Sequence, residues 1–297
     1  MYVAAEIASQ PDTWRRAAQL AASPATVRAL PQPGERVAVV GCGTSYFIAQ
    51  SCAALREAAG HGETDAFAAS EFPGTRRYDR IVAITRSGTT TEVNRLLRDL
   101  PAGSRSTVVT TATDRPVTRL ATDRVVLDFA DEQSVVQTRF ATTVLATWRA
   151  RLGHDLTMAI TDARAQTGAP IEQRLAEREQ FTFLGTGWTV GLANEAALKL
   201  REAAQVWAES YPAMEFRHGP ISVAGHRSVV WIFGPPVPGL LEDLTATGAL
   251  VVHAPIDPMA HLIGAQRLAV ELATRRGLHP DRPRLLTRSV VLPEPAL

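Results

Sequence analysis

Short apolar runs alternate with longer amphipathic stretches along the chain. Arg36-Val37-Ala38-Val39-Val40 is a β-rich run, Gly41-Cys42-Gly43-Thr44-Ser45 follows it, and residues 46–59 carry helical periodicity. This pattern predicts a strand, a tight turn and a helix. The unit returns at Arg80-Ile81-Val82-Ala83-Ile84, followed by Thr85-Arg86-Ser87-Gly88-Thr89-Thr90-Thr91-Glu92 and a helix to about Leu100. Further strands are predicted at Thr107–Thr111 and Val125–Leu127, then a long helix over 139–153. Upstream, residues 6–30 carry helical signals, with Gln10-Pro11-Asp12 opening a helix and Pro31, Pro33 and Gly34 breaking the chain.

The pattern then starts again. Phe181–Leu184 predicts a strand, Gly185-Thr186-Gly187-Trp188-Thr189 aligns with Gly41-Cys42-Gly43-Thr44-Ser45, and a helix is predicted from about Val190 to Glu209. Val229–Phe233 predicts the next strand, but its turn is Gly234-Pro235-Pro236, without hydroxyls. Strands alternating with helices imply mostly parallel sheets flanked by helices. The repeat implies an internal duplication into two α/β halves, residues 1–158 and 159–297.

The first half alone has hydroxyl-rich turns. In an open α/β sheet, ligands bind beyond the carboxyl ends of the strands, where the strand order reverses. Each of these turns opens a helix, whose N-terminus offers unpaired N–H groups and a favourable dipole to an anion. Gly43 and Gly88 allow close backbone approach, Ser45, Thr85, Ser87 and Thr90 add donors, and Arg86 adds charge and a bidentate fork. A single Thr-Ser turn reads equally well as a helix cap; two, after successive parallel strands, point to a phosphate. Gly41-x-Gly43 also begins a dinucleotide fingerprint, but Tyr46 occupies the third glycine position. No cofactor is expected.

In the second half Glu195, Lys199 and Glu202 fall at i, i+4 and i+7, on one helix face. Leu192, Ala196, Ala197, Leu198 and Leu200 make most other sides of that helix apolar, which predicts burial, and a buried charged trio needs a reason. Of the 31 basic residues only Lys199 is a lysine. A lysine titrates where an arginine does not. Glu202 suits a general base next to a carbonyl or imine, Lys199 an oxyanion stabiliser, and His218 a proton shuttle. The competing readings are a solvated salt-bridge stripe for the trio and a turn residue for His218. The other histidines (His61, His154, His226, His253, His261 and His279) show no metal-ligand spacing and are expected at the surface or in loops; no metal is expected.

Bulk composition narrows the classes. Hydrophobic residues make up 45% and charged residues 21% of 297 residues, and net charge is +1, so neither nucleic acid nor a membrane surface is an expected partner. No apolar run reaches spanning length. Met1-Tyr2-Val3-Ala4-Ala5-Glu6 does not read as a signal peptide, and Cys42 and Cys52 fit neither a disulfide framework nor a zinc knuckle, which suggests the cytoplasm.

Gly41-Cys42-Gly43-Thr44-Ser45, Ala69-Ser70-Glu71-Phe72 and Ser87-Gly88-Thr89-Thr90-Thr91-Glu92 resemble the sugar isomerase (SIS) domain family. Glu195-Ala196-Ala197-Leu198-Lys199-Leu200-Arg201-Glu202, Ala208-Glu209-Ser210-Tyr211 and Arg217-His218-Gly219-Pro220 are similar to the isomerase half of glucosamine-6-phosphate synthases. So are Glu6-Ile7-x-x-Gln10-Pro11 and Asp281-x-Pro283-Arg284-x-Leu286-x-Arg288-Ser289-Val290. The resemblance spans the whole chain and implies two tandem SIS domains, each a flavodoxin-like parallel sheet flanked by helices.

The resemblance also implies roles. Ser45, Thr85, Arg86, Ser87 and Thr90 fall on phosphate-binding positions. Thr44, the Val135 backbone and Glu195 fall on sugar-binding positions. Glu202 is the carboxylate that moves a proton between C1 and C2, with Lys199 beside it. His218 assists ring opening from the neighbouring subunit of a homodimer. Arg139 and Arg288 stand where the synthases have lysine, and Arg288, in the catalytic group, holds charge but cannot cycle a proton. Thr85-Arg86-Ser87-Gly88 is closer to SIS proteins of amino-sugar catabolism. With no amidotransferase half in the sequence, glutamine-dependent synthesis is not expected.

The implied function is an enzyme acting on an amino-hexose 6-phosphate, of the glucosamine or N-acetylglucosamine type. Proton abstraction at C2 would give aldose–ketose isomerisation with or without deamination. The alternatives are elimination of water from N-acetylglucosamine 6-phosphate, and a non-catalytic sugar-phosphate sensor.

Overall fold

Strand order reverses once in each half of the chain, in the same way. The computed structural model describes residues 1–293. In it β1 (Val37–Gly41), β2 (Thr64–Ala68), β3 (Arg80–Ile84), β4 (Ser106–Thr110) and β5 (Asp123–Val126) form one sheet, ordered β2-β1-β3-β4-β5. The strands β6 (Gln180–Gly185), β7 (Trp207–Pro212), β8 (Ser228–Phe233) and β9 (Leu250–Val252) form a second, ordered β7-β6-β8-β9. Every ladder is parallel. The second order repeats the first without its last edge strand, and both are flavodoxin-like. The duplication read from the turns is therefore present in the topology, as two SIS-type α/β units.

Helices cover both sheets. In order they are α1 (Tyr2–Ala8), α2 (Gln10–Ala21), α3 (Pro24–Ala29), α4 (Thr44–Ala58), α5 (Thr91–Asp99), α6 (Val117–Leu120), α7 (Arg139–Arg151), α8 (Thr157–Gly168), α9 (Gln173–Ala176), α10 (Thr189–Ala204), α11 (Leu240–Thr247) and α12 (Pro258–Arg275). The helical stretch expected over 6–30 is three helices, the third started by the Ser23 hydroxyl accepting from Thr26 N at 3.3 Å. No helix among the described residues is long and apolar enough to cross a membrane.

The sheets share one core. Val39 of β1, Ile48 of α4, Leu145 of α7, Phe183 of β6, Leu192 of α10 and Ile263 of α12 belong to a single buried cluster. At its centre α4 lies against α10. Gln50 accepts from Asn194 Nδ2 at 2.7 Å, and these two residues are 144 positions apart, the separation of Gly41 from Gly185. Equivalent residues touching each other is what a local two-fold relation produces. Gly191 permits the approach: a Cβ there would lie 2.3 Å from Phe47 O and from Ser51 Oγ.

Two expectations need correction. The helix expected to reach Glu209 ends at Ala204, because Gln205 takes a left-handed conformation (φ 53°) and the chain turns into strand β7. His261, expected at the surface or in a loop, is 3% exposed on α12, where its Nδ1 accepts from Trp231 Nε1 at 3.2 Å. The segment after α12 follows the second half in sequence but returns to the first: Asp281 accepts from Tyr2 N and Val3 N, and its carbonyl from Val135 N.

Candidate active site

Strands β1 and β3 are neighbours at the point where the order of the first sheet reverses, and both hydroxyl-rich turns leave from their carboxyl ends. Thr44 and Ser45 occupy the first turn of α4, and Thr90 is the N-cap of α5. An ordinary capping hydroxyl accepts from a backbone N–H two or three residues on. Thr90 makes no such bond. Thr85 Oγ1 is buried without a partner. Ser45, Thr85, Ser87 and Thr90 line one small pocket, with Gln137 and Arg288 at its edge. Gly88 holds the second turn open with φ of 67°, where a Cβ would lie 2.9 Å from Val117 Cγ1.

Arg86 also makes contacts outside the pocket. It lines the pocket and is 2% exposed, but its guanidinium donates to the carbonyls of Ser134 (2.9 Å), Val135 (3.2 Å) and Arg288 (3.2 Å). Its Nη1 also lies 3.6 Å from Glu132. It ties the 131–138 loop and the tail to the pocket wall. The Val135 carbonyl, the expected sugar contact, is one of its acceptors. Arg288 binds the Glu132 carbonyl and the Asp131 carboxylate, so its described partners lie on that loop and not on Lys199 or Glu202.

Sequence reasoning missed what fixes the loop. Glu132 is buried and accepts from Thr138 N at 2.6 Å and Arg139 N at 2.9 Å, capping α7 through its side chain. Glu6 accepts from Gln133 N at 2.6 Å. No local spacing signals Glu132, since the pattern around it is neither helical nor alternating. Gln137 carries no signal either, and Ser289 stands out only as part of the tail motif shared with the synthases.

The charged trio assembles beside the first turn of α4. Lys199 Nζ lies 2.5 Å from Glu202 Oε2, 3.0 Å from Thr44 Oγ1 and 3.6 Å from Glu195 Oε1. Glu195 is 0% and Lys199 1% exposed, so this is no solvated stripe; the Glu202 side chain retains 19% exposure. Burial pushes the Glu195 carboxyl up to about 8, against the pull of Lys199. Neither Glu195 oxygen has a hydrogen-bond partner. Burial also works against the Lys199 charge, but Glu195 and Glu202 together hold its ammonium above the usual lysine range. The arrangement offers one solvent-reachable carboxylate, one ammonium and one enclosed carboxyl, next to the turn that opens the hydroxyl-lined pocket.

His218 ends the 3-10 turn Glu215–His218 and is exposed, with exposed Met214 and Val223 nearby in the chain. Within the chain it makes no described hydrogen bond to the trio. The equivalent hydroxyl of the second half is engaged within the chain: Thr189, at the position of Ser45, accepts from Thr186 N at 2.8 Å and lies 3.0 Å from Phe233 O as a donor.

Searches for related proteins agree with this architecture. No family model matches the chain. The glutamine–fructose-6-phosphate aminotransferase (isomerizing) of Pyrobaculum aerophilum is 27% identical, over 72% of this chain and 44% of that protein. The chain spans about half the length of the curated relatives it matches. Among solved structures, the glucosamine-6-phosphate deaminase of Thermotoga maritima superposes with a TM-score of 0.77, at 22% identity, covering 98% of this chain and 100% of that one. The C-terminal domain of the glucosamine-fructose-6-phosphate aminotransferase of Francisella tularensis gives 0.79 at 20% identity, covering 95% and 98%. The chain thus has the fold of the double sugar isomerase (SIS) domain family and resembles the isomerase half of the glutamine–fructose-6-phosphate aminotransferases.

Proposed function

We propose that the chain is an enzyme acting on an amino-hexose 6-phosphate, of the glucosamine or N-acetylglucosamine type, by moving the proton at C2. The observation that carries this is the Lys199–Thr44 hydrogen bond, which joins the first turn of the anion pocket to the acid–base trio. The phosphate sits against the N-termini of α4 and α5, with the hydroxyls of Ser45, Thr85, Ser87 and Thr90 as donors. Arg86 contributes charge while its donors hold the wall. Thr44, Glu195 and the Val135 backbone border the sugar.

In the open-chain aldose, the C2 proton is acidic because C1 is a carbonyl. Glu202 accepts that proton, leaving an enolamine with negative charge on the C1 oxygen. The Lys199 ammonium, 2.5 Å from Glu202, faces that charge. Return of the proton to C1 gives the 2-imino sugar. That imine, once a proton has passed from its nitrogen to the C1 oxygen, is the isomerised product; addition of water at C2 and loss of ammonia then give the 2-ketose. The names of the similar proteins, an isomerizing aminotransferase and a deaminase, support this choice of substrate class. His218 serves ring opening from a second copy, in a homodimer; its exposure on a turn beside Met214 and Val223 supports that placement.

The test is incubation with glucosamine 6-phosphate and with N-acetylglucosamine 6-phosphate, followed by phosphorus NMR, which reports isomer, deaminated ketose and elimination product alike. Glu202→Gln should lower turnover by about 10²–10⁴-fold, the usual share of a general base, while thermal stabilisation by the same ligands persists. Stabilisation without any product from the unmodified chain would instead identify a sensor. Neither product nor stabilisation would remove the reading altogether.

A further inference from the structure

The tail after α12 places the Ser289 hydroxyl beside Thr90, which lines the hydroxyl-rich pocket. Helix α5 starts at Thr91, and its first N–H groups need acceptors. The N-cap Thr90 side chain supplies none. The tail does: Val290 O accepts from Thr91 N at 3.1 Å, and Leu292 N donates to Thr91 Oγ1 at 2.8 Å. Thr90 is thereby released from capping, and its Oγ1 stands 3.2 Å from Ser289 Oγ. Ser289 Oγ is also 3.0 Å from Thr89 Oγ1, which lies 3.1 Å from Ser87 Oγ. A run of four hydroxyls, Ser87, Thr89, Ser289 and Thr90, therefore edges the pocket, and its third member comes from 200 positions further along the chain.

We infer that Ser289 is a positioning residue for phosphate binding, acting by aiming the Thr90 hydroxyl proton into the pocket. This rests on the phosphate-binding function proposed above. A hydroxyl donates one proton and accepts up to two. With an anion in the pocket, one arrangement satisfies every proton: Thr89 donates to Ser289, Ser289 to Thr90, and Thr90 to a phosphate oxygen. Ser87 accepts from Thr89 N at 3.2 Å, which leaves its proton for the phosphate as well. Without Ser289 the Thr90 hydroxyl has no donor behind it and rotates freely. Ser289 lies on an irregular, half-exposed stretch, so its loss leaves the core untouched.

Inorganic phosphate and glucosamine 6-phosphate, titrated calorimetrically into the full chain, test this. Ser289→Ala should weaken both probes by about five- to tenfold, the effect of one hydrogen bond to an anion, with an unchanged melting temperature in the absence of ligand. Ser289→Thr should restore affinity to within about twofold. Combining Ser289→Ala with Thr90→Val should weaken binding no more than Thr90→Val alone, because Ser289 acts through Thr90. Unaltered affinity in Ser289→Ala, or full additivity in the double variant, overturns the role of Ser289 while leaving the phosphate site standing. Failure of the unmodified chain to bind either probe removes both.

Discussion

Lys199 stands where two carboxylates and a hydroxyl converge, and it is the chain's one lysine. Removing its charge leaves Glu202 and the buried Glu195 carboxyl without their counter-ion. Lys199→Met should cost about 3 kcal/mol of stability, measured by denaturant unfolding, and abolish turnover. Glu195 gives the pH dependence a sign. Burial raises its carboxyl from the ordinary 4.5 of the unfolded chain to about 8 in the folded one. Between those values the native state keeps a proton that the unfolded state has released, so Glu195 lowers stability progressively as pH rises through that window. Glu195→Gln removes the effect, and its melting temperature relative to the unmodified chain should climb from about pH 5 to about pH 8. A difference independent of pH would mean that Glu195 is ionised throughout, as the partner of Lys199. The trio was legible in the sequence because helical spacing and a lone lysine in an arginine-rich chain are local signals. The roles of Glu132 and Ser289 were not, because each acts on residues brought to it only by the fold. His261 was misplaced because a lone histidine carries no mark of burial when its neighbours are not read as a helix.

At the scale of elements, the packing of α4 against α10 brings the pocket and the trio together. Gly191 sets their separation. Gly191→Ala should cost about 1–3 kcal/mol, as overpacking does, and lower turnover further than the stability loss explains, since it stretches the Lys199–Thr44 contact. Parallel measurement of melting temperature and kcat separates the two effects; a stable variant with full activity would mean that the helices need not meet so closely. The buried strands β1, β3 and β8 were readable as apolar runs, and β4 as a run of β-branched residues. The half-buried edge strands β2 and β7 were not, having neither a continuous run nor a clean alternation, and the apolar run of β9 is only three residues long. The end of α10 was hidden because Gln205, rather than glycine, takes the left-handed position.

Taken whole, the molecule is two copies of one α/β unit that share a core, with a tail from the second copy folded onto the first. A shared core predicts that both halves melt together. Calorimetry should show one unfolding transition, and two resolved transitions would mean that the halves are independent. Duplication followed by divergence also explains how labour is divided. On the proposed function, the first unit keeps hydroxyls for a phosphate, while in the second the Thr189 hydroxyl is bonded within the chain and α10 carries the Glu195, Lys199 and Glu202 trio. The most direct measurement is proton NMR at C2 of glucosamine 6-phosphate held in deuterated water with the protein. Deuterium should enter C2, with or without net turnover, and Glu202→Gln should stop the exchange while glucosamine 6-phosphate still binds. Turnover without any C2 exchange in solvent, undiminished in Glu202→Gln, would contradict the assignment of Glu202 as the base.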